Sequence, residues 1–207
     1  MKDLKSARQR FKSMHGEFFV IPNAWNVGEV RQLEKLGFRA IATTSAGLSA
    51  SVGRDDLSLT RDDTLQNIHS LCAATDLPVN ADFEAGFAAD AAGVGANVTL
   101  AAEAGICGLS IEDRTGGALY DVKDAVARIK AARAALDKVD PNIVLVGRSE
   151  GYLVGNSDVR ATIERLKAYA DAGADVLFRL GRYMRFNLFS EPLVVAPPGR
   201  EIEKACE

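Results

Sequence analysis

The chain has 207 residues, 47% hydrophobic and 26% charged, the balance of an ordinary globular domain. Its 25 Lys and Arg against 28 Asp and Glu leave a net charge of −3, which argues against nucleic-acid binding through bulk charge. No run of about 18 apolar residues occurs, so no membrane span is expected, and the charged N-terminus lacks the apolar stretch of a secretory signal.

Taken in chain order, short apolar runs alternate with helical patterns. Strands are predicted at Phe18–Pro22, Ala40–Ser45, Pro78–Glu84, Gly108–Arg114, Ile143–Glu150 and Asp175–Leu180. They are apolar without clean alternation, as parallel strands buried on both faces are. Helices are predicted over Val27–Leu36, Thr60–Ala74, Asp121–Leu136 and Val159–Asp171, from apolar residues at helical spacing. Thr60 with Asp63 suggests a capping box, and Asn156, Ser157 and Asp158 offer caps for the last helix. Gly37, Gly105 and Gly173 each stand between a helix and the next strand, where a C-terminal glycine is favoured.

This alternation predicts an α/β fold with a parallel sheet and crossover helices. The pattern leaves that sheet closed or open; a closed (β/α)8 barrel typically needs about 250 residues, so any barrel built from these six or so βα units is a short one. The βα pattern covers residues 1–180 and gives way to an atypical tail over 181–207, in which Leu193–Val195 is a candidate short strand. The three cysteines (Cys72, Cys107, Cys206) form no CxxC pair and only two His are present. A multi-histidine metal site is thereby excluded, and free thiols in a reducing cytoplasm are expected.

In such folds the active site lies at the carboxyl ends of the strands. The residues there are Asn23 and Trp25; Thr44, Ser45, Gly47, Asp55 and Asp56; Asp82 and Glu84; Glu112, Asp113 and Arg114; Arg148, Ser149 and Glu150; and Arg179. Carboxylates closing neighbouring strands suit a hard divalent cation such as Mg²⁺. Arg148 could grip a carboxylate or phosphate bidentately, and the Thr44–Gly47 turn offers hydroxyls and amides for an anion. Plainer readings stand beside each. Asp82 and Glu84 could be a solvated strand end, Glu112 to Arg114 a local ion-pair cluster, Arg148 a partner of Glu150 or Glu84, and Trp25 a core residue.

The stretches IPNAWN (21–26), ATTSAGLSASVGRDD (42–56), VNADFEAGF (79–87), GLSIEDRTGGALYD (108–121), VLVGRSEGYL (144–153) and YADAGADVLF (169–178) resemble the isocitrate lyase/phosphoenolpyruvate mutase superfamily. The resemblance runs in order over about residues 17–180. It implies a modified (β/α)8 barrel of the TIM-barrel type, incomplete here, with a barrel-type catalytic domain over 1–180 ahead of the 181–207 tail; it also implies a homo-oligomer and a Mg²⁺-dependent enzyme, with Mn²⁺ able to stand in. The implied reaction makes or breaks a C–C or P–C bond in a small α-keto or 2-hydroxy acid through a pyruvate-type enolate. Carried over by position, Asp82, Glu84 and Glu112 match the metal-site acids, which act largely through water. Ser45, Gly47 and Leu48 match the loop that holds the substrate carboxylate, with Trp25 beside it; Arg148 matches the substrate-gripping arginine; Asp55 matches the aspartate near the transferring group.

Two departures narrow the resemblance. The Lys-Lys-Cys-Gly-His loop of the isocitrate-type lyases is replaced by RTGGALYDVKD (114–124), read here as a short loop, and the mutase lid lysine and asparagine lack counterparts. Loss of the βα pattern after Phe178 suggests a shortened or frame-shifted product. The alternatives are a non-catalytic, self-associating barrel remnant and an unrelated α/β enzyme that merely shares acidic strand ends.

Overall fold

The computed structural model describes residues 3–179. The expectations for Leu180, the 181–207 tail, Leu193–Val195 and Cys206 lie outside the described residues.

In chain order the elements are α1 (Leu4–Met14), α2 (Val27–Lys35), β1 (Ile41–Ala42), α3 (Ser45–Ser51), α4 (Arg61–Ala74), β2 (Val79–Asp82) and α5 (Ala91–Glu103), then β3 (Gly108–Glu112), β4 (Arg114–Thr115), β5 (Ala118–Leu119), α6 (Val122–Val139), β6 (Val144–Ser149), α7 (Val159–Asp171) and β7 (Val176–Arg179). Strands pair in the order β1-β2-β3-β6-β7, all parallel, in a sheet curled as a half-barrel, so the α/β expectation of an incomplete barrel holds. The predicted helices form with their predicted caps: Thr60 and Asp63 close a capping box, and Asp158 accepts from the Ala161 N–H. Gly173 takes φ +102°, a left-handed turn from α7 into β7 that a side chain would resist.

Successive strand residues face opposite sides, so register fixes two faces. Ile41, Val79, Ala81, Leu109, Ile111, Leu145 and Leu177 face the crossover helices and form the main core with Ile68, Val98, Ile129 and Leu136. The other face carries Asn80, Asp82, Ser110, Glu112, Val146, Arg148 and Phe178. Its amino end is covered by α1, whose Phe11 and Met14 pack against Val144, Val146, Val176 and Phe178.

Two expectations change. Phe18–Pro22 is not a strand: the chain touches β1 through a single bridge, Asn23 with Ala42, while Phe18 is 91% exposed. Phe19 and Ile21 pack against the α1-side core while Phe18 and Val20 face outward, so the segment anchors by its side chains and makes no ladder. Asp82 ends β2, so Glu84 lies beyond the strand, at φ +46°, and does not alternate with Asp82 on a strand. The short 114–119 stretch is ordered as a hairpin, β4–β5, turning through Gly116 and Gly117.

Candidate active site

The carboxyl end of the inner face brings residues from three strands together. Glu112 and Arg148 are register partners on β3 and β6, and Asp82 ends the neighbouring β2. Arg148 donates through Nε to Glu150, while Nη1 stands 3.5 Å from Asp82 Oδ1 and Nη2 3.6 Å from Glu112 Oε2. Its guanidinium lies 5.3 Å from the Phe178 ring centre. Arg114 closes the other side, with Nη2 2.5 Å from Asp56 Oδ2 and Nε 3.5 Å from Glu112 Oε1.

The segment after β1 folds over this cluster. Thr44 caps α3, its Oγ1 accepting from the Gly47 N–H, which aims the start of α3 at β2. Ser45 donates from both N–H and Oγ to Asp82 Oδ2, each at 3.0 Å. A Cβ on Gly47 would come within 2.6 Å of Thr44 Cγ2 and 2.8 Å of the Trp25 ring, so this close approach requires glycine. The N–H groups proposed for a carboxylate all have partners here: Ser45 on Asp82, Gly47 on Thr44 Oγ1 and Leu48 on the Thr44 carbonyl. Leu48 faces a groove of about 400 Å³ between α3 and α4, lined also by Val52, Arg54, Leu59 and Asn67, outside the acid cluster. Asp55 is exposed; it is its neighbour Asp56 that reaches the cluster through Arg114.

Negative charge dominates the cluster. Burial pushes the Glu112 carboxyl up to about 8; Asp82 and Glu150 add to this, against the opposing pull of Arg148 and Arg114. Burial, with Asp82 and Asp56 nearby, pushes Glu84 up to about 7. Burial opposes the charge on Arg148, but Asp82, Glu150 and Glu112 outweigh it and hold the guanidinium protonated. Glu84 Oε1, Glu112 Oε1 and Glu150 Oε2 are buried without a hydrogen-bond partner among the described residues. Buried acceptors of this kind call for a proton or a cation.

The donor set fits a hard cation, because carboxylate oxygens are what Mg²⁺ prefers. Among the described residues no three His, Cys, Asp or Glu side chains form a ready-made cage, so water would complete the shell around such an ion.

A second layer fixes the strand ends. Asp113 accepts from the Glu150 N–H at 2.8 Å and from the Tyr169 hydroxyl at 2.7 Å, with Arg165 at 3.5 Å. Burial and Asp113 hold the Tyr169 hydroxyl protonated, far above its usual value. Tyr169 was not foreseen from sequence; it reads there as one more apolar residue on the buried side of a helix.

A profile of the phosphoenolpyruvate phosphomutase family matches residues 11–189. The chain belongs to the isocitrate lyase/phosphoenolpyruvate mutase superfamily. It is 34% identical over 182 residues to 2-methylisocitrate lyase of Salmonella typhimurium, covering 80% of this chain and 60% of that relative. Among solved structures it is similar to a Burkholderia cenocepacia J2315 protein described provisionally as a lyase/mutase, at 43% identity and TM-score 0.83, covering 85% of this chain and 65% of that one. It also resembles phosphonopyruvate hydrolase in complex with oxalate and Mg²⁺, at 27% identity and TM-score 0.78, covering 88% and 64%. The chain thus spans about 60% of the length of that curated superfamily member.

Proposed function

We propose that this chain carries the substrate- and metal-binding face of a lyase- or hydrolase-type enzyme that breaks a C–C or P–C bond in a small α-keto or 2-hydroxy acid. The observation that carries this reading is the convergence of Asp82, Glu112 and Arg148 on one sheet end, with buried carboxylate oxygens left unpartnered. The Mg²⁺ and oxalate held by the related phosphonopyruvate hydrolase fit the same assignment.

Cleavage beside a carbonyl leaves enolate charge, which needs preorganised positive charge and donors. Asp82, Glu84 and Glu112 would hold Mg²⁺, or Mn²⁺ in its place, which would supply Lewis-acid stabilisation of that charge. Arg148 offers both Nη groups to the substrate carboxylate, oriented by the Nε contact to Glu150. Ser45 exchanges its Oγ contact from Asp82 to the substrate, while Gly47 and Trp25 shape the wall beside it and Leu48 backs α3. Asp55 acts as general base from the loop that Asp56 anchors to Arg114. Cysteines buried in the core, Cys72 and Cys107, fit a cytoplasmic enzyme. Exposed Phe18, Leu36 and Val52 fit association into a homo-oligomer.

The test is a turnover screen of 2-methylisocitrate, 2,3-dimethylmalate, oxaloacetate and phosphonopyruvate with Mg²⁺ and with EDTA. Turnover of at least one acid, abolished by EDTA, is expected. Failure on all of them would leave the chain a binding fragment and contradict the enzymatic reading.

A further inference from the structure

The loop after β2 is held in an unusual way. Glu84, Gly86 and Phe87 take φ of +46°, +87° and +53°, left-handed values that Glu and Phe resist. Such conformations persist only where the surroundings over-determine them. Here two side chains from different helices do so. Arg128 on α6 donates from Nη1 to the carbonyls of Ala85 (3.1 Å) and Ala88 (2.9 Å), and from Nη2 to Ala89 (2.9 Å). Asn97 on α5 donates from Nδ2 to the carbonyls of Gly86 and Phe87, both at 3.0 Å. Every carbonyl from residue 85 to residue 89 is therefore taken by one of these two side chains. The Glu84 carbonyl, in turn, accepts from the Glu112 N–H at 2.9 Å.

Arg128 is buried, and its guanidinium lies 4.0 Å from the Tyr120 ring centre. Among the described residues no carboxylate forms an ion pair with it, so its charge serves the loop carbonyls. The clamped loop delivers Glu84 next to Asp82 with Oε1 unpartnered. Held less firmly, Glu84 would relax to an ordinary backbone conformation and turn its carboxylate away from Asp82.

We propose that Arg128, assisted by Asn97, is a positioning residue for divalent-cation binding, acting by locking the strained 84–89 loop that presents Glu84. This rests on the metal reading above and names residues that touch neither metal nor substrate. Arg8 provides a matched control. It too is buried and donates to backbone carbonyls, those of Ile106 (3.0 Å) and Ala102 (2.8 Å), but at the amino end of the sheet.

The experiment is Mn²⁺ titration followed by electron paramagnetic resonance, with thermal midpoints recorded for each variant. Arg128→Lys should weaken Mn²⁺ binding about 10-fold or more, the size expected when the support of a ligand is lost. Arg8→Lys should lower the midpoint yet leave Mn²⁺ affinity within about 2-fold. Should Arg128→Lys fail to fold, Asn97→Ala, which frees two of the carbonyls, should show a smaller loss in the same direction. In a Glu84→Gln background, Arg128→Lys should produce no further loss, because the clamp acts through Glu84. Wild-type Mn²⁺ binding with Arg128→Lys and Asn97→Ala both unchanged would overturn the clamp and leave the metal reading standing. Absence of Mn²⁺ binding to the wild type would overturn both.

Discussion

The two ends of the inner sheet face are made from the same strands and built in opposite ways. At the amino end, Phe11 and Met14 of α1 close over Val144, Val146 and Val176, and the buried Arg8 spends its donors on two backbone carbonyls and Asp140. At the carboxyl end, Arg148 stands among Asp82, Glu112 and Glu150, and carboxylate oxygens are left without partners. One arginine completes a satisfied core; the other belongs to a cluster with excess negative charge. A fold held by its helix-covered core and its packed amino end can carry a strained and unsatisfied carboxyl end, because unpaired buried groups cost stability that packing elsewhere must supply.

The sharpest way to break this division is Phe11→Ala. It removes a fully buried ring from the amino end and should cost about 3–5 kcal/mol of stability. If the division holds, the protein that remains folded still responds to Mg²⁺ and oxalate in calorimetric titration. A loss of that response in folded protein would show that the two ends are not separable.

Arg148→Met acts at the other end. It should weaken oxalate binding in the presence of Mg²⁺ by roughly 100-fold, the scale for truncating one member of a buried charge cluster. Unchanged oxalate affinity by the same calorimetry would remove Arg148 from the substrate site.

A smaller effect sharpens the comparison through pH. Glu84 and Glu112 titrate near 7 and 8 in the folded protein, above the ordinary carboxylate value of 4.5. The folded state therefore binds more protons than the unfolded state between those values, and unfolding free energy falls as pH rises. Stability present below the ordinary value is lost as pH passes through about 7 and 8. Without metal, the melting midpoint should decline from about pH 5 to about pH 9. Glu112→Gln should flatten that decline, and Mg²⁺ should bind more tightly as pH rises. A midpoint indifferent to pH would mean that the cluster is already neutralised.

Much of the architecture was legible because parallel strands and capped helices carry local signals: the Thr60–Asp63 box and Asp158 mark their helices without help from the fold. Helix α1 was hidden, since its charges mask a stripe of Ala7, Phe11 and Met14 that matters only once the sheet curls around it. Helix α3 reads as a turn, because Ser, Gly and Ala are weak signals until Thr44 caps them. Asp82, Glu112 and Arg148 were legible as strand ends on one face. The pairing of Asp56 with Arg114 was not, because adjacent residues differ only in which one the loop turns toward the arginine. Arg128 and Asn97 were invisible, since their partners are carbonyls distant in sequence and carbonyls leave no trace in residue identity.

The most direct test of the account is a thermal melt with Mg²⁺, with oxalate, with both and with neither. Ligands that bind the folded state raise its midpoint by mass action. A cooperative melt is expected whose midpoint rises most when both are present, since an anion at Arg148 and a cation at Asp82 and Glu84 each neutralise charge the other would meet. A midpoint indifferent to both together would contradict an assembled site.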